Sequence, residues 1–191
     1  MPLRIITGEL KGREVWTPRS ARFRPSTHFL REMLFSLIGP DAVPDCIFLD
    51  VFAGSGVVGF EAISRGARKA VFLEKAHRQA NSIRENAQRL GVADRACILK
   101  IDATRDLDRL SRVLAANEVV SLVFIDPPFN HPVEIPFLEA ALAHREFFAD
   151  DARFFLETRF APKEIPAGYD VADQRKTSSS VLTTLRFSLP Q

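Results

Sequence analysis

Asp126-Pro127-Pro128-Phe129 is the stretch whose residue types and spacing point most directly to chemistry. Two consecutive prolines fix φ and remove two N–H donors, so the turn carrying Asp126 is held in one shape. From there the carboxylate and a nearby backbone carbonyl can accept both N–H bonds of an exocyclic amine on a planar base. Such an amine is a poor nucleophile, because its lone pair is delocalised into the ring. With both protons held, the nitrogen can become tetrahedral and aim its lone pair at an electrophilic methyl group. That is positioning plus electrostatic stabilisation, with Asp126 able to help remove the proton later. Phe129 adds a flat face on which the base can stack, worth about 1–3 kcal/mol in comparable nucleic-acid sites. An Asp-Pro turn over a packed aromatic is the plainer account of the same residues, so their surroundings must decide.

The second chemical feature is Asp50-Val51-Phe52-Ala53-Gly54-Ser55-Gly56-Val57-Val58-Gly59. It follows an apolar run and opens a helical pattern, so its glycines can turn sharply and offer free helix N–H groups to a ligand. Gly54, Gly56 and Gly59 satisfy G-x-G-x-x-G, and Glu74 lies twenty residues after Gly54, where an acid can bind ribose hydroxyls. A dinucleotide loop has the same outline. Here, however, Asp50 stands four residues ahead of the first glycine, and an acid there suits an ammonium and a sulfonium but repels a pyrophosphate. Asp102 is placed to accept from an adenine amine or to cap a helix at Thr104–Leu107, and both roles can hold together.

The elements that must position these residues are legible as patterns. Residues 3–7 and 13–17 are β-rich and bracketed by Gly8 and Gly12, which predicts a hairpin. After an irregular basic linker from Pro18 to Pro25, Ser26 or Thr27 can cap a helix. Its apolar residues Leu30, Met33, Leu34, Leu37 and Ile38 repeat at three and four, and Gly39-Pro40 ends it. Apolar runs at 46–52, 70–73, 96–101 and 119–125 read as buried parallel strands, with helices near 57–65, 76–90 and 104–116 between them. A helix over about 134–144 and strands near 153–158, 169–173 and 181–188 complete the chain, the last two forming an antiparallel edge hairpin. This alternation predicts a doubly wound α/β sheet, with Asp126 at the carboxyl end of its fourth strand, where such sheets place ligands.

At 191 residues the chain can bury one compact core without metals or disulfides, and no metal site is expected. Cys46 and Cys97 each sit in an apolar run and read as reduced core residues. No apolar stretch approaches the roughly 20 residues needed to span a bilayer, and the start lacks a signal-peptide pattern, so a cytoplasmic protein is expected. The net charge of +2 is uneven: residues 1–31 carry seven basic residues against Glu9 and Glu14, a net of +5, leaving −3 for the rest. A basic arm on a slightly acidic body suits either a polyanion partner or a merely solvated terminus.

Taken together, these residues resemble a class I methyltransferase of the amine-modifying (Asp/Asn)-Pro-Pro-(Tyr/Phe) type. More narrowly, the chain resembles the bacterial RsmD family of 16S ribosomal RNA guanine-N² methyltransferases. The resemblance runs through Arg4-Ile5-Ile6-x-Gly8, Lys11-Gly12-Arg13, Arg24-Pro25-Ser26-Thr27 and Arg31-Glu32-x-Leu34-Phe35. It continues through Asp50-x-Phe52-Ala53-Gly54-Ser55-Gly56, Glu61-Ala62-x-Ser64-Arg65-Gly66-Ala67, Glu74-Lys75, Asn86, Asp126-Pro127-Pro128-Phe129 and Glu157. It implies a Rossmann-like, seven-stranded, mostly parallel sheet of order 3-2-1-4-5-7-6, with strand 7 antiparallel and a β-hairpin extension. Residues 1–25 would form that RNA-contacting extension and 26–191 the methyltransferase domain.

The resemblance implies S-adenosylmethionine as cofactor, held by Asp50, Phe52, Ala53, Gly54, Ser55, Gly56, Glu74, Lys75, Asp102 and Ala103. It further implies catalysis at Asp126–Phe129 and RNA contacts from Arg4, Lys11, Arg13, Arg24, Thr27 and Arg31. The partner would be 16S ribosomal RNA in a partly assembled small subunit, met by a monomeric enzyme. Two departures stand out. His28-Phe29 occupies the place of the family's usual Asp-Arg, and Thr177-Ser178-Ser179-Ser180 replaces a usual Tyr-Gly, so this last loop is expected to be mobile and the edge hairpin looser.

Other readings are an adenine-N⁶ methyltransferase, a noncatalytic RNA-binding assembly factor and, more distantly, an NAD-dependent reductase. The first lacks an obvious target-recognition domain. The second leaves the intact loop and tetrapeptide unexplained. The third lacks a suitable acid, since the only tyrosine, Tyr169, lies in the late edge region. Neutralising Arg4, Lys11 and Arg13 together is expected to weaken RNA affinity and flatten its salt dependence; an unchanged salt slope in binding titrations would relegate the hairpin to structure.

Overall fold

The computed structural model describes residues 2–17, 28–128 and 132–188. The expected cap at Ser26 or Thr27, the contacts of Arg24 and Thr27, and the stacking face of Phe129 lie outside the described residues. A two-stranded hairpin, β1 (Leu3–Arg4) and β2 (Glu14–Val15), precedes α1 (His28–Ile38). There follow β3 (Ile47–Val51), α2 (Val57–Ser64), β4 (Lys69–Leu73), α3 (His77–Leu90), β5 (Ala96–Leu99) and β6 (Val120–Ile125). The chain ends with α4 (Glu134–Ala143), β7 (Phe148–Thr158), β8 (Tyr169–Lys176) and β9 (Val181–Phe187).

The seven-stranded sheet has the order β5-β4-β3-β6-β7-β9-β8. Counted from β3, this is the expected 3-2-1-4-5-7-6. The pairs β3–β4, β3–β6, β4–β5 and β6–β7 are parallel, whereas β9 runs antiparallel to both β7 and β8. β3 is buried along its whole length, as an apolar central strand must be. α3 buries Ala80, Ile83, Ala87 and Leu90 at helical spacing, and Gly91 ends it in the left-handed region, with Val92 N–H returned to the Ala87 carbonyl at 2.9 Å. Among the described residues no helix is long and apolar enough to cross a membrane.

One expected element is corrected. The helix read over 104–116 is only a 3₁₀ segment, Leu107–Arg112. Asp102 accepts Thr104 N–H at 3.2 Å, and Asp106 accepts Asp102 N–H at 3.1 Å. These local bonds divert the backbone before an α-helix can propagate, and Leu107, Leu110 and Leu114 still reach the core. The 177–180 turn carries its own hydrogen bonds: Thr177 N–H donates to the Ser180 carbonyl at 2.8 Å, and the Thr177 hydroxyl accepts from Ser179 and Ser180 N–H at 3.1 and 2.8 Å.

α2 is buried at every residue, including Glu61 at 0% exposure. That carboxylate accepts Ile6 N–H at 2.8 Å and Thr7 N–H at 3.0 Å, and meets Arg31 at 3.4 Å and Arg65 at 3.0 Å. Ser64, one turn on, accepts Leu10 N–H at 2.9 Å and donates to the Thr7 carbonyl at 2.5 Å. The hairpin is therefore fastened to α2 by hydrogen bonds, and Ile5, Leu10 and Val15 share the core of the main domain. Glu61→Ala would strand Arg31, which is 3% exposed. A loss of about 3–5 kcal/mol is expected, the cost of breaking a buried pair by removing one partner. Equilibrium denaturation checks this, and a loss below about 1 kcal/mol would mean that the pair contributes no more than a surface bridge.

Candidate functional site

β3 has β4 on one side and β6 on the other, so the sheet reverses direction of growth there and a crevice opens beyond the carboxyl ends of these strands. Its floor is the turn after β3. Phe52 takes a left-handed φ of 60°, uncommon for an aromatic residue, and Gly54 and Gly56 follow at 54° and 73°. The turn is closed by Ala53 N–H on the Leu73 carbonyl at 3.0 Å and Gly56 N–H on the Ala53 carbonyl at 2.7 Å. Its ring set edge-on to Phe137 of α4 at 6.3 Å anchors Phe52. Ser55 is buried, and its hydroxyl accepts Val57 N–H at 3.3 Å.

Gly59 has a different task from the other two glycines. A Cβ there would stand 2.3 Å from Phe72 Cε1, so the third glycine of the motif lets α2 lie directly on β4. The same residue's N–H donates to Asp50 Oδ2 at 2.9 Å. Asp50 is 2% exposed. Burial pushes its carboxyl well above the usual carboxylate range, the Gly59 N–H opposes this, and the neighbouring Asp126 and Glu74 carboxylates push it further up. Sequence reasoning placed Asp50 at the ligand and gave it no part in starting α2; the geometry gives it that part.

Glu74 ends β4 and reaches back to the loop, accepting Gly54 N–H at 2.9 Å and Ala76 N–H at 2.7 Å through different oxygens. Burial raises its pKa against these bonds. Each oxygen retains a lone pair for a hydroxyl. Lys75 turns away to Asp102 at 2.8 Å, and this bond, ahead of those from Thr104, holds the Asp102 carboxyl down at about 2. Asp102 thus already caps the turn at Thr104, through Oδ1. The Ala103 side chain is buried in the core. Asp126 leaves β6 half-buried, with its N–H 3.5 Å from the Val51 carbonyl; Pro127 is buried and Pro128 exposed.

The structure thus brings Asp50, Glu74 and Asp126 around one glycine turn, with Asp102 at the next strand end. Asp50 is buried beneath this turn and its raised pKa favours the neutral form, so the negative charge offered to a ligand comes from Glu74 and Asp126, which favour a positively charged group and disfavour a pyrophosphate. The expected RNA contacts fare less uniformly. Arg31 is corrected: its guanidinium is buried, on the Arg4 carbonyl at 3.0 Å and on Glu61, and is not offered to a partner. Lys11 and Arg4 are exposed, Arg4 meeting Glu14 at 3.4 Å, while Arg13 donates to the Arg89 carbonyl at 2.7 Å. His28 pairs with Glu32 at 3.3 Å, and Phe29 is exposed.

Three residues that the sequence reading names only as part of the family resemblance hold the hairpin in place. Asn86 clamps Trp16 by accepting its N–H at 2.9 Å and donating to its carbonyl at 2.8 Å. With Glu61 and Ser64, it sets where the hairpin lies. An acid inside the otherwise apolar run of α2 was the available signal for Glu61.

Asp50 offers a direct check. A carboxyl with a raised folded pKa binds its proton more tightly in the native state, so it costs stability increasingly as pH rises from the unfolded carboxylate range through the folded pKa. Asp50→Asn removes that cost and keeps an acceptor for Gly59, so a higher Tm at neutral pH is expected, with the gain shrinking on acidification. Asp50→Ala loses the acceptor and should lower stability by about 1–3 kcal/mol. Equal melting curves for the two variants would refute the hydrogen-bond role.

The family described as conserved hypothetical protein 95 matches residues 3–186. Over 159 residues the chain is 32% identical to ribosomal RNA small subunit methyltransferase D of Escherichia coli, covering 82% of this chain and 74% of that one. It is 29% identical to the Haemophilus influenzae protein of the same name over 92% of this chain and 89% of that one. The solved structure of Escherichia coli yhhF, described as a methyltransferase, superposes with a TM-score of 0.81 at 26% identity, covering 100% of both chains.

Proposed function

The chain belongs to the conserved hypothetical protein 95 family, which is the RsmD family, and on that premise we propose that it methylates a guanine N² amine in small-subunit ribosomal RNA, using S-adenosylmethionine. The observation that carries this reading is the placement of Asp126. It stands at the carboxyl end of β6, on a turn stiffened by Pro127 and Pro128, and close enough to the glycine turn for its charge to raise the Asp50 pKa.

The residues present fit the cofactor. Glu74 has room left for a ribose hydroxyl, Gly54 and Gly56 leave the loop surface uncovered by side chains, and the Glu74 and Asp126 carboxylates complement a cation. Phe52, Ala53, Ser55, Lys75, Asp102 and Ala103 complete the proposed binding region. When bound, S-adenosylmethionine supplies a methyl group made electrophilic by its sulfonium. The chain does the rest. Asp126 accepts an N–H of the target amine and orients the nitrogen lone pair toward the cofactor side of the crevice. With the cofactor bound, the methyl–sulfur bond would break as the nitrogen–carbon bond forms, leaving a neutral thioether and a positive charge on the nitrogen; the Asp126 carboxylate would stabilise that charge and accept the departing proton.

The division into a basic extension over 1–25 and a catalytic domain over 26–191 belongs to this proposal, as do a monomeric state, a partly assembled small subunit as substrate and a cytoplasmic location. Arg4, Lys11 and Arg13 supply phosphate contacts in it. Asp126→Ala should lower methyl transfer about 10²–10³-fold, as loss of a single transition-state contact does. Small subunits from cells lacking this gene are the substrate, and affinity for S-adenosylmethionine, followed by calorimetry, should stay within a few-fold. Near-normal turnover in Asp126→Ala would sink the assignment. Mass spectrometry of the methylated nucleosides distinguishes N²-methylguanosine from N⁶-methyladenosine.

A further inference from the structure

β7 lies parallel to β6 with Ile125 opposite Leu156, so Asp126 and the residues ending β7 emerge at the same edge of the sheet. Thr158 is the last residue of β7 and pairs with Val181, the first of β9. Immediately beyond this pair, Arg159 and Phe160 face the end of β8 and the 177–180 turn across an open groove of about 780 Å³. Neighbouring strands are about 5 Å apart, so the groove, which runs from the end of β7 to the end of β8, spans roughly one to three strand spacings from Asp126.

The groove has a chemistry of its own. Phe160 is 72% exposed, more than any other large hydrophobic residue among the described residues, and Arg159 sits 5.4 Å from its ring centre. The backbone that presents the ring is held by the Thr158 hydroxyl, which donates to the Phe160 carbonyl at 2.7 Å. Lys176 lies on the opposite wall, and Ser178 and Ser179 present hydroxyl side chains from a turn that Thr177 ties together. None of the lining residues is acidic. An exposed ring, two cations, hydroxyls and no carboxylate make up the recognition set for single-stranded nucleic acid: a π-face for a base and positive charge along the backbone.

We propose that this groove holds the single-stranded RNA next to the target nucleotide, with a flanking base stacked on Phe160 and its phosphates at Arg159 and Lys176. This rests on the RNA methyltransferase reading and deepens it, because it assigns strand recognition to the β7–β9 side of the crevice, away from the hairpin. A base to be methylated at an exocyclic amine must leave its stack, and gripping the adjacent nucleotide holds the strand open while Asp126 engages the amine. The groove selects an accessible single strand in preference to a duplex.

The test uses the full chain with small subunits from cells lacking this gene, and separately with a short mixed-sequence single-stranded RNA. Phe160→Ala should weaken RNA affinity and raise the KM for subunits roughly five- to a hundredfold, the range expected for losing one stacked base. Phe160→Trp should restore both. Arg159→Gln with Lys176→Gln should flatten the salt dependence of RNA binding by a slope of about one to two. Affinity for S-adenosylmethionine and Tm should be unchanged in all three variants, since the exposed ring and cations support no core. RNA affinity and KM at wild-type values in Phe160→Ala, with the wild-type enzyme active on subunits, would overturn the groove assignment alone. A wild-type enzyme that methylates no RNA would overturn the function itself, and the groove with it.

Discussion

Gly59 lies on the ring of Phe72 at a distance that leaves no space for a Cβ, which would stand 2.3 Å from the ring. That close approach sets how deeply α2 sits on the sheet, and most of the crevice follows from it. At this depth the Gly59 N–H meets Asp50 at 2.9 Å, so the helix starts over the end of β3. The chain between them must then turn within five residues, which requires the left-handed conformations at Phe52, Gly54 and Gly56. The turn's geometry in turn presents Gly54 N–H to Glu74. Packing, helix capping and ligand site are consequences of one steric allowance.

The same helix is the hairpin's attachment. Glu61 and Ser64 receive backbone N–H groups from Ile6, Thr7 and Leu10, so the extension is held mainly through its main chain. This explains why a segment with so few ladder bonds of its own keeps its shape. Two short strands pair only at Leu3–Val15 and Arg4–Glu14, too little for an independent hairpin in water. Arg31 contributes from α1 by bridging the Arg4 carbonyl to Glu61. The positive charge counted at the amino end is thus divided: Arg31 and part of Arg13 stabilise the fold, while Lys11 and Arg4 face outward.

How much was legible in the sequence depends on the range of the interaction concerned. The apolar runs that became β3, β4 and β6 were readable because a strand buried on both faces leaves a continuous apolar stretch, whereas β5, at the sheet edge, is buried fully only at Ala96. Gly54, Gly56 and Glu74 were readable because strand, loop and helix fix their spacing locally; the strand order came from family resemblance. Arg31 was misplaced because its partner is thirty residues away, and nothing near it marks the charge as buried. The 104–116 segment has helical apolar spacing, but Asp102 and Asp106 capture backbone N–H groups at its start. In the serine-rich 177–180 segment, composition gives no sign that one threonine hydroxyl accepts two backbone N–H groups across the turn. Phe160 carried no signal at all, since an exposed and a core phenylalanine are identical until the strand beside it ends.

Along the carboxyl edge the strand order becomes a map of the proposed chemistry. On one side of β6, the strands β3, β4 and β5 end in Asp50, Glu74 and Asp102, all carboxylates and all tied to backbone N–H groups. On the other side, β7 and β8 end and β9 begins among Arg159, Phe160, Lys176 and a hydroxyl-rich turn. Asp126 stands between an acidic half suited to a cationic cofactor and a basic, aromatic half suited to a polyanion. Opposite charges on the two halves discourage each ligand from occupying the other's place, which is specificity by repulsion as well as by fit. The antiparallel return of β9 is what makes the second half possible. It brings the β8–β9 turn to the same edge as the parallel strand ends, whereas a parallel β9 would have carried that turn to the far side of the sheet.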